Sequence, residues 1–417
     1  MKNRIVFHVD FDYFYAQCEE IRNPQLKGNP VVVCIFSDRG GDSGAVATAN
    51  YTARESAVKS GIPIAFAKSR LKDNPEAVFL HADFDYYSDI SSSAMSIMER
   101  FADIFEYVGR DEAYLDVTNR TDADFERAGH IAQQLKNEIQ QKLKMTCSVG
   151  VSSNKLISKI ASDYKKPDGL TIIKPEEIMA FLKPLGIRVI PGIGGKTELL
   201  FRDSGCEKIE DVLRFDVFEL NKKFGRKNGT YIYNAVRGIH DDQVRPKAPT
   251  VQISKIITLK ENSKNSQFLS DNLKILCKQI HVITMEKQKM FRSIGIQFVN
   301  EDLSTKTKSK MLKNPTNSEE ELEKVSLQLL LEALDDQELM VRRLGLRISE
   351  LTDVRGQSHI TSYFSVFCSD SSIFFNFLVS IAVTTNKNMN NHGRNIISPA
   401  TEWNSSHALG SVVTFNA

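Results

Sequence analysis

In the first 173 residues, short apolar runs alternate with amphipathic stretches, which is the pattern of an α/β domain. Apolar runs bounded by Gly, Pro or charged residues predict strands, whereas apolar residues spaced three and four apart predict helices. We therefore expect strands at 5–9, 31–36 and 147–151, a β-hairpin at 105–117, and helices at 52–60, 88–101, 122–143 and from 154 onwards. Together these elements predict a mixed sheet with helices packed on it.

The pattern changes after residue 174. Short helical segments separated by Pro and Gly predict a small all-helical domain, and the charged stretch 241–250, with Pro246 and Pro249, predicts a linker. A second α/β unit follows, with strands at 253–257, 293–299 and 342–349 and helices at 266–285 and 318–333. Charged residues almost disappear after residue 364, and we expect 365–417 to be a disordered tail.

Composition narrows the class of protein without identifying it. A chain of 417 residues, 41% hydrophobic and 25% charged, is long enough for about two to four globular domains. The net charge of +2 gives no overall attraction to nucleic acid, so any DNA contact depends on local patches. The six scattered cysteines, without a Cys-x-x-Cys pair, indicate reduced thiols in a cytoplasmic protein. No segment has the pattern of a signal peptide or a membrane span, so we expect no membrane contact.

Two acidic clusters, far apart in the chain, give the first indication of chemistry. Asp10 and Asp12 end the first apolar run, and Asp111 and Glu112 stand at the expected hairpin turn. Carboxylates at the end of a buried strand are costly unless a positive group satisfies them, and Mg²⁺ prefers such oxygen ligands. A pair of Mg²⁺ ions is the usual apparatus of nucleotidyl transfer. Ordinary turn and surface carboxylates are the alternative.

Six short motifs occur in the order found in one enzyme family. They are DFDYFYAQ at 10–17, ATANYTAR at 47–54, DEAYLD at 111–116, SVGVS at 148–152, KKPDG at 165–169 and PGIG at 191–194. Over residues 1–364 the chain resembles the Y-family DNA polymerases, and most closely their archaeal DNA polymerase IV (DinB) branch. The resemblance implies template-directed, low-fidelity translesion synthesis in DNA damage bypass and repair, without a proofreading exonuclease.

The resemblance also implies a right-hand, multidomain α/β (α+β) architecture with a mixed-sheet palm, small fingers, a helical thumb and a βαβ-type little-finger domain. The expected boundaries are 1–13 and 81–173 for the palm, 14–80 for the fingers, 174–240 for the thumb and 251–352 for the little finger. The expected partners are primer-template DNA and deoxynucleoside triphosphates, and we expect a monomer.

Roles for individual residues follow from the motifs. Asp10, Asp111 and Glu112 are the expected catalytic acids and, with the backbone carbonyl of Phe11, the expected ligands of two Mg²⁺ ions, for which Mn²⁺ is a substitute. Tyr15 resembles the steric gate that excludes a ribose 2′-hydroxyl; a core aromatic is its alternative. The expected nucleotide-binding residues are Tyr13, Phe14, Tyr51, Arg54 and Lys166. For the cationic residues, a solvated surface position is the alternative.

One departure from the family pattern lies beside the acids. The family usually has Ser and an aliphatic residue before the Asp-Glu pair, whereas this chain has Gly109 and Arg110. Glycine keeps a turn feasible, but a cation there either weakens metal binding or points to solvent. A catalytically silent DNA- and clamp-binding scaffold therefore remains a second hypothesis, and a nucleotidyl cyclase a third.

Three further segments indicate macromolecular partners. Gly192, Gly194 and Lys196 belong to the expected helix-hairpin-helix of the thumb, where free N–H groups bind a DNA phosphate. In the last domain the expected DNA contacts are Arg342, Arg343 and Arg347. The alternating lysines Lys306, Lys308 and Lys310 indicate either a DNA contact, which we favour, or a protected edge strand.

The segment 353–364 is predicted to bind a sliding clamp. It carries the pattern Gln-x-x-aliphatic-x-x-aromatic-aromatic in Gln357, Ile360, Tyr363 and Phe364. This spacing places three apolar side chains on one side of a helical turn, as in peptides that dock on clamps of the PCNA type. Such a tether raises the effective concentration of a weakly processive polymerase at the primer end.

Overall fold

The computed structural model describes residues 4–246, 249–335 and 337–354. The elements up to residue 172 are β1 (Val6–Phe11), α1 (Phe14–Arg22), β2 (Val31–Phe36), β3 (Gly44–Ala49), α2 (Tyr51–Glu55), α3 (Ile64–Arg70), β4 (Val78–His81), α4 (Phe84–Arg100), β5 (Ile104–Tyr107), β6 (Glu112–Asp116), α5 (Phe125–Leu143), β7 (Cys147–Ser152), α6 (Lys155–Tyr164) and β8 (Leu170–Ile172). They confirm the predicted α/β class.

Five of these strands form a mixed sheet in the order β5-β6-β1-β7-β8, in which β7 and β8 are parallel and the other neighbours are antiparallel. The odd-numbered residues of β1 are buried in the core that α4 and α5 cover. His8 faces the other way, towards α6, and Asp10 shares that face because side chains alternate along a strand. Gly150, opposite His8, lets α6 approach closely, since a Cβ there would lie 1.9 Å from Ser158 O.

A smaller sheet, β3-β2-β4, has its own core with α2 and α3. Several helix boundaries in this half of the chain differ from the prediction. The helix predicted at 88–101 begins four residues earlier, at Phe84, after its N-cap Asp83. The helix predicted at 52–60 ends at Glu55, because Ala57 has a left-handed φ of 59°. The helix predicted from residue 122 begins only after Asp124, its N-cap, because Asp122 and Ala123 have φ of 52° and 60°.

Five helices follow: α7 (Ile178–Leu182), α8 (Gly195–Arg202), α9 (Ile209–Val212), α10 (Val217–Phe224) and α11 (Arg226–Ala235). They share a core with the apolar side of α6, as predicted for a small helical domain. The predicted linker is partly fixed to the first sheet. Val244, only 3% exposed, packs against Val6 and Tyr114, and Asp242 pairs with Lys155.

The last elements are β9 (Gln252–Ser263), α12 (Ser266–Glu286), β10 (Lys289–Asn300), β11 (Thr305–Thr316), α13 (Glu319–Leu334), β12 (Val341–Ser349) and β13 (Thr352–Asp353). Their sheet has the order β11-β10-β12-β9, and these neighbours are antiparallel. Strands β9 and β10 are therefore parallel with β12 between them, and β11 and β12 are parallel with β10 between them. These two interlocked split βαβ units confirm the βαβ-type prediction. In the described part of the chain, no helix is long and apolar enough to cross a membrane.

Candidate active site

The structure brings the two acidic clusters together. Asp10 and Glu112 are direct antiparallel partners on β1 and β6, and Asp111 lies in the turn just before β6. The carbonyl oxygen of Asp111 accepts a hydrogen bond from Phe11 N at 2.9 Å. Among the described residues, the ligand atoms of His8, Asp10 and Glu112 lie within 4.8 Å of one another. The carboxylate of Asp111 lies outside this group, at the more exposed rim.

Cationic and polar side chains from α6 and the following loop satisfy these acids. Lys166 pairs with Asp10, and Lys159 pairs with Glu112. His8 Nε2 donates to Glu112 Oε2 at 3.0 Å, while the Ser162 hydroxyl lies 2.7 Å from His8 Nδ1. The partly buried carboxylates of Asp10 and Glu112 therefore each have the positive partner that burial of a charge requires.

Burial and hydrogen bonding shift the pKa values of this group in different directions. Burial raises the pKa of Asp10 to about 6, although Lys166 opposes the shift. The hydrogen bond with His8 lowers the pKa of Glu112 to about 2, and burial lowers the pKa of His8 to about 4. Near neutral pH both carboxylates are therefore charged and His8 is neutral. Charged carboxylate oxygens are the donor set that a magnesium site requires.

Arg110 points away from the acids. Its Nε donates to Ser88 Oγ at 3.2 Å, and its guanidinium lies 5.4 Å from the centre of the Phe84 ring, both on α4. Gly109 leaves room beside the acids, since a Cβ there would lie 3.3 Å from Asp111 Oδ1. The departure from the family pattern thus leaves the carboxylates unobstructed, so Arg110 no longer favours a silent scaffold.

Tyr15 is held by other aromatic rings. It stacks on Tyr87, with ring centroids 4.7 Å apart and 24° between the planes, and it meets Phe84 edge-on at 5.8 Å. Tyr87 is fully buried, whereas Tyr15 remains partly exposed. This arrangement fixes a flat ring at the edge of the core, as a steric gate requires.

Helix α2 brings two predicted nucleotide-binding residues together. The Arg54 guanidinium lies 4.9 Å from the centre of the Tyr51 ring. The Tyr51 hydroxyl is buried and has no hydrogen-bond partner among the described residues, so it is available to a ligand. Phe14 is only 3% exposed and the Tyr13 hydroxyl donates to Glu20 at 3.1 Å. A nucleotide contact from Phe14 is therefore restricted to its backbone.

The predicted hairpin of the helical domain precedes α8. Gly192 has a φ of +84°, which glycine adopts without strain, and Gly194 is the N-cap of α8. The space around Gly194 is open, and Lys196 is exposed in the first turn. Tyr231 fixes the hairpin by donating to Pro191 O at 2.7 Å. The helix N-terminus is therefore open to a phosphate.

Arg343 and Arg347 share the open face of the last sheet. They lie opposite Val299 and Gly295 on β10 and are exposed, and Arg342 precedes them at a register shift of β12. Since α12 and α13 cover the other face, these arginines lie on the side that a DNA backbone can reach.

The lysine run of β11 lies on the opposite face. Lys308 and Lys310 are paired across the strands with Ile296 and Ile294, whose side chains enter the core under the helices. Lys308 pairs with Glu332, and Lys310 donates to Gln328 at 2.9 Å, both on α13. These contacts with α13 favour the edge-strand alternative over a DNA contact at this run.

The predicted clamp-binding residues Gln357, Ile360, Tyr363 and Phe364 lie outside the described residues, as does the tail 365–417.

Two residues of the site, His8 and Lys159, were not predicted from the sequence. His8 stands two positions before Asp10 on a strand, so the alternation of side chains would have placed both on one face. Lys159 had no such signal, because its contact with Glu112 depends on how α6 crosses the sheet.

Three models of known families match the chain. The impB/mucB/samB family matches residues 9–163, its C-terminal domain matches residues 250–361, and the DNA polymerase-iota thumb domain matches residues 188–240. DNA polymerase IV of Nitrosopumilus maritimus (strain SCM1) is 64% identical over 364 residues, which cover 87% of this chain and 100% of the relative. DNA polymerase IV of Saccharolobus solfataricus (strain ATCC 35092 / DSM 1617 / JCM 11322 / P2) is 36% identical over 84% of this chain and 98% of its own length.

Solved structures give the same result. A Y-family chimera of the polymerases Dbh and Dpo4 is 35% identical, with a TM-score of 0.78 over 84% of this chain and 100% of its own. The insertion ternary complex of Dbh DNA polymerase, also 35% identical, has a TM-score of 0.62 over 84% of this chain and 100% of its own.

A mixed palm sheet with paired acids, together with small fingers, a helical thumb and a split-βαβ little finger, defines a right-hand nucleotidyltransferase. The chain belongs to the Y family of DNA polymerases, in the archaeal DNA polymerase IV (DinB) branch. It is a DNA-directed DNA polymerase that carries out template-directed, low-fidelity translesion synthesis in DNA damage bypass and repair, without a proofreading exonuclease. Catalysis in this family depends on divalent metal ions.

Proposed function

We propose that Asp10, Asp111 and Glu112, with the carbonyl oxygen of Phe11, hold the two metal ions of this polymerase and that these ions are Mg²⁺. The observation that carries the proposal is the direct pairing of Asp10 with Glu112 across β1 and β6, next to Asp111. When bound, the ions lower the pKa of the primer 3′-hydroxyl and neutralise the triphosphate and the leaving pyrophosphate. Mn²⁺ serves as a substitute because it accepts the same oxygen ligands.

The protein's own cations and rings bind and orient the nucleotide. Lys166 and Arg54 neutralise the triphosphate. Lys166 contributes a compact ammonium charge, and Arg54 contributes a planar guanidinium with several N–H donors. The unpaired Tyr51 hydroxyl donates to a phosphate oxygen, which supports the assignment of α2 to this site. Tyr15 packs under the sugar, and the backbone at Tyr13 and Phe14 contacts the phosphates.

Primer extension with Mg²⁺ tests the assignment of the acids. Asp111→Ala should abolish extension while primer-template binding persists, and the exposed Asp85→Ala on α4 is the matched control that should extend normally. Extension by Asp111→Ala at the native rate would overturn the assignment. Absence of extension in the unaltered chain would support a silent scaffold, and a cyclised nucleotide would support a cyclase.

Primer-template DNA is held at two surfaces under this proposal. The thumb hairpin, with Gly192, Gly194 and Lys196, binds one backbone through the N–H groups at the start of α8. The open little-finger face, with Arg342, Arg343 and Arg347, binds phosphates through charge. Neither surface reads base edges, which suits a polymerase that must accept any sequence.

The remaining proposals concern partners and organisation. Gln357, Ile360, Tyr363 and Phe364 form a peptide that docks on a PCNA-type sliding clamp, and the polymerase itself is a monomer in the cytoplasm. The five cysteines in the described residues are free thiols, which supports a reducing compartment.

We also retain the domain boundaries that the sequence predicts. They are 1–13 and 81–173 for the palm, 14–80 for the fingers, 174–240 for the thumb, 241–250 for the linker and 251–352 for the little finger. Four hydrophobic clusters centre on these regions, which supports the division. Two boundaries are crossed by shared core residues: Phe14 of α1 packs in the palm cluster, and Ile157 of α6 packs in the thumb cluster.

A further inference from the structure

The loop at 165–169 carries Lys166 between α6 and β8, and two buried charged residues, Asp12 and Lys136, form hydrogen bonds with this loop. Lys166 reaches Asp10 and also pairs with Asp163 at 2.9 Å. Loops have no hydrogen-bond ladder of their own to fix their geometry. The position of the Lys166 ammonium therefore depends on the residues that anchor the loop.

The first anchor is Asp12, which belongs to the first acidic cluster but is only 3% exposed. Its Oδ1 accepts from Ser148 Oγ at 2.6 Å, and its Oδ2 accepts from Thr146 Oγ1 at 2.7 Å and from Asp168 N at 3.0 Å. Both carboxylate oxygens therefore accept hydrogen bonds: from Ser148 on β7, from Thr146 just before β7, and from the backbone of the loop at Asp168. Asp12 fixes the loop backbone two residues after Lys166.

The second anchor is Lys136 on α5, which is 7% exposed. Its Nζ donates to Asp168 Oδ1 at 2.6 Å, to Cys147 O at 2.6 Å and to Gly169 O at 3.3 Å. All three hydrogens of the ammonium group are therefore used. A buried lysine is retained only when it is paired in this way, and two of its acceptors lie in the loop.

Asp168 is the residue on which both anchors converge. Its φ of 54° lies in the left-handed region, which Asp tolerates better than most residues. Asp12 binds its backbone N–H and Lys136 binds its carboxylate, so both the backbone and the side chain of one residue are fixed.

We propose that Asp12 and Lys136 are positioning residues that hold Lys166 where it meets the triphosphate. The inference rests on the proposed role of Lys166 as a triphosphate ligand. Neither residue touches the nucleotide; each acts by fixing the loop from which Lys166 extends. An ammonium group that is displaced from the phosphates loses part of its charge-assisted hydrogen bonding to them, so removal of an anchor should weaken nucleotide binding.

The test is a double-mutant cycle in which the kinetics of single-nucleotide insertion are measured. As a second measurement, a dideoxy-terminated primer prevents insertion, so that the Kd of the nucleotide for the polymerase–DNA complex is obtained. Lys136→Met keeps the apolar stem and removes the three hydrogen bonds. We expect it to raise the KM and Kd of the nucleotide about fivefold while kcat changes less than about twofold, because a loss of uniform binding appears in KM. Lys142→Met, an exposed lysine on the same helix, is the matched control and should change neither.

Lys166→Ala should raise KM about tenfold, and adding Lys136→Met to it should have no further effect, because Lys136 acts only through Lys166. Two outcomes would overturn the inference but leave the role of Lys166 intact. In one, the effects of the two substitutions on KM multiply in the double variant; in the other, Lys136→Met has the same KM as Lys142→Met. An unchanged KM in Lys166→Ala would overturn both that role and the inference.

A second variant, Asp168→Asn, tests the same inference in case Lys136→Met does not fold. Asp168→Asn keeps a residue that tolerates the left-handed region, and its side chain is 61% exposed, so it should fold. It removes the charge pair with Lys136 and should raise KM about threefold, again only when Lys166 is present. An unchanged KM for Asp168→Asn would contradict the anchoring role.

Discussion

Asp10 and Glu112 face each other as like charges on neighbouring strands, an arrangement that destabilises a sheet unless it is compensated. Lys166 and Lys159 supply the compensation, and His8 adds a neutral donor to Glu112. The acids are thereby kept close and charged by groups that the fold positions in advance. Such preorganised charge is the main means by which enzymes stabilise charge that develops during reaction.

Tyr15→Ala should admit ribonucleotides. Removing the ring leaves space where a ribose 2′-hydroxyl would otherwise clash, and the buried Tyr87 behind it cannot move forward to fill the gap. We expect ribonucleotide incorporation relative to deoxyribonucleotide to rise at least about tenfold. Competitive primer extension measures the ratio, and Tyr164→Ala, an exposed tyrosine, should leave it unchanged. Unaltered sugar selectivity in Tyr15→Ala would remove the gate assignment.

Arg110→Ala should leave the metal dependence of the enzyme unchanged. The guanidinium is directed to Ser88 and Phe84 and lies away from the carboxylates. We expect the Mg²⁺ concentration for half-maximal extension to change less than about twofold, since an exposed charge directed away from a site is screened by solvent and salt. A Mg²⁺ titration of primer extension measures it, and a much lower Mg²⁺ requirement in the variant would show that Arg110 repels the ions.

The short helix α2 depends on contacts of the Asn50 side chain. Asn50 accepts from Ala53 N at its N-cap, and its amide donates to Asn29 O at 2.8 Å and to Glu20 Oε1 at 2.9 Å. A helix of five residues cannot be stable alone, so this network and its packing hold Tyr51 and Arg54 in place.

Asn50→Ala should therefore reduce both stability and nucleotide affinity. Loss of an N-cap typically costs about 1 kcal/mol, and the buried groups left without partners add about 1–3 kcal/mol. Thermal melting and the KM for the nucleotide measure the two effects. Asn265→Ala removes the N-cap of α12 in the little finger and is the matched control: it should lower the melting temperature without changing KM. Equal KM values for the two variants would contradict the role of α2.

The little-finger sheet has basic residues on both faces: Arg343 and Arg347 on the open face, and Lys308 and Lys310 towards α13. Our proposal assigns DNA binding to the open face alone. Arg343→Ala and Arg347→Ala should each reduce the salt dependence of DNA affinity, lowering the slope of log K against log salt by about 0.9 for each phosphate that is no longer neutralised. Lys310→Ala, on the face towards α13, should leave the slope unchanged. DNA binding at several salt concentrations measures the slopes, and a reversed order would reassign the DNA face.

Removal of the C-terminal segment should separate catalysis from clamp stimulation. A chain ending at Phe364 should keep both its basal primer extension and its stimulation by a PCNA-type clamp. A chain ending at Val354 should keep basal extension and lose stimulation, because the tether that raises its effective concentration is gone. Primer extension with and without the clamp measures both, and stimulation that persists in the shorter chain would exclude the peptide at 357–364.

The sequence was a good guide wherever the signal is local. The period of apolar residues predicted the central strands, and a strand end followed by acids predicted the site, because burial and side-chain alternation are properties of short segments. Helix ends were predicted less well. The shortened α2 and the late start of α5 depend on left-handed φ values at Ala57, Asp122 and Ala123. Alanine rarely adopts such values, and Asp tolerates them without requiring them, so neither residue type is enough to predict these turns.

The motifs and their order were enough to predict a Y-family polymerase and to assign candidate residues to its site. The three-dimensional arrangement alone revealed that His8 and Lys159 bond Glu112, that Arg110 turns to α4, and that the lysines of β11 face α13. Those facts depend on strand register and on how helices cross a sheet, where a shift of one residue exchanges the two faces. Such long-range geometry leaves no periodic trace in a single sequence.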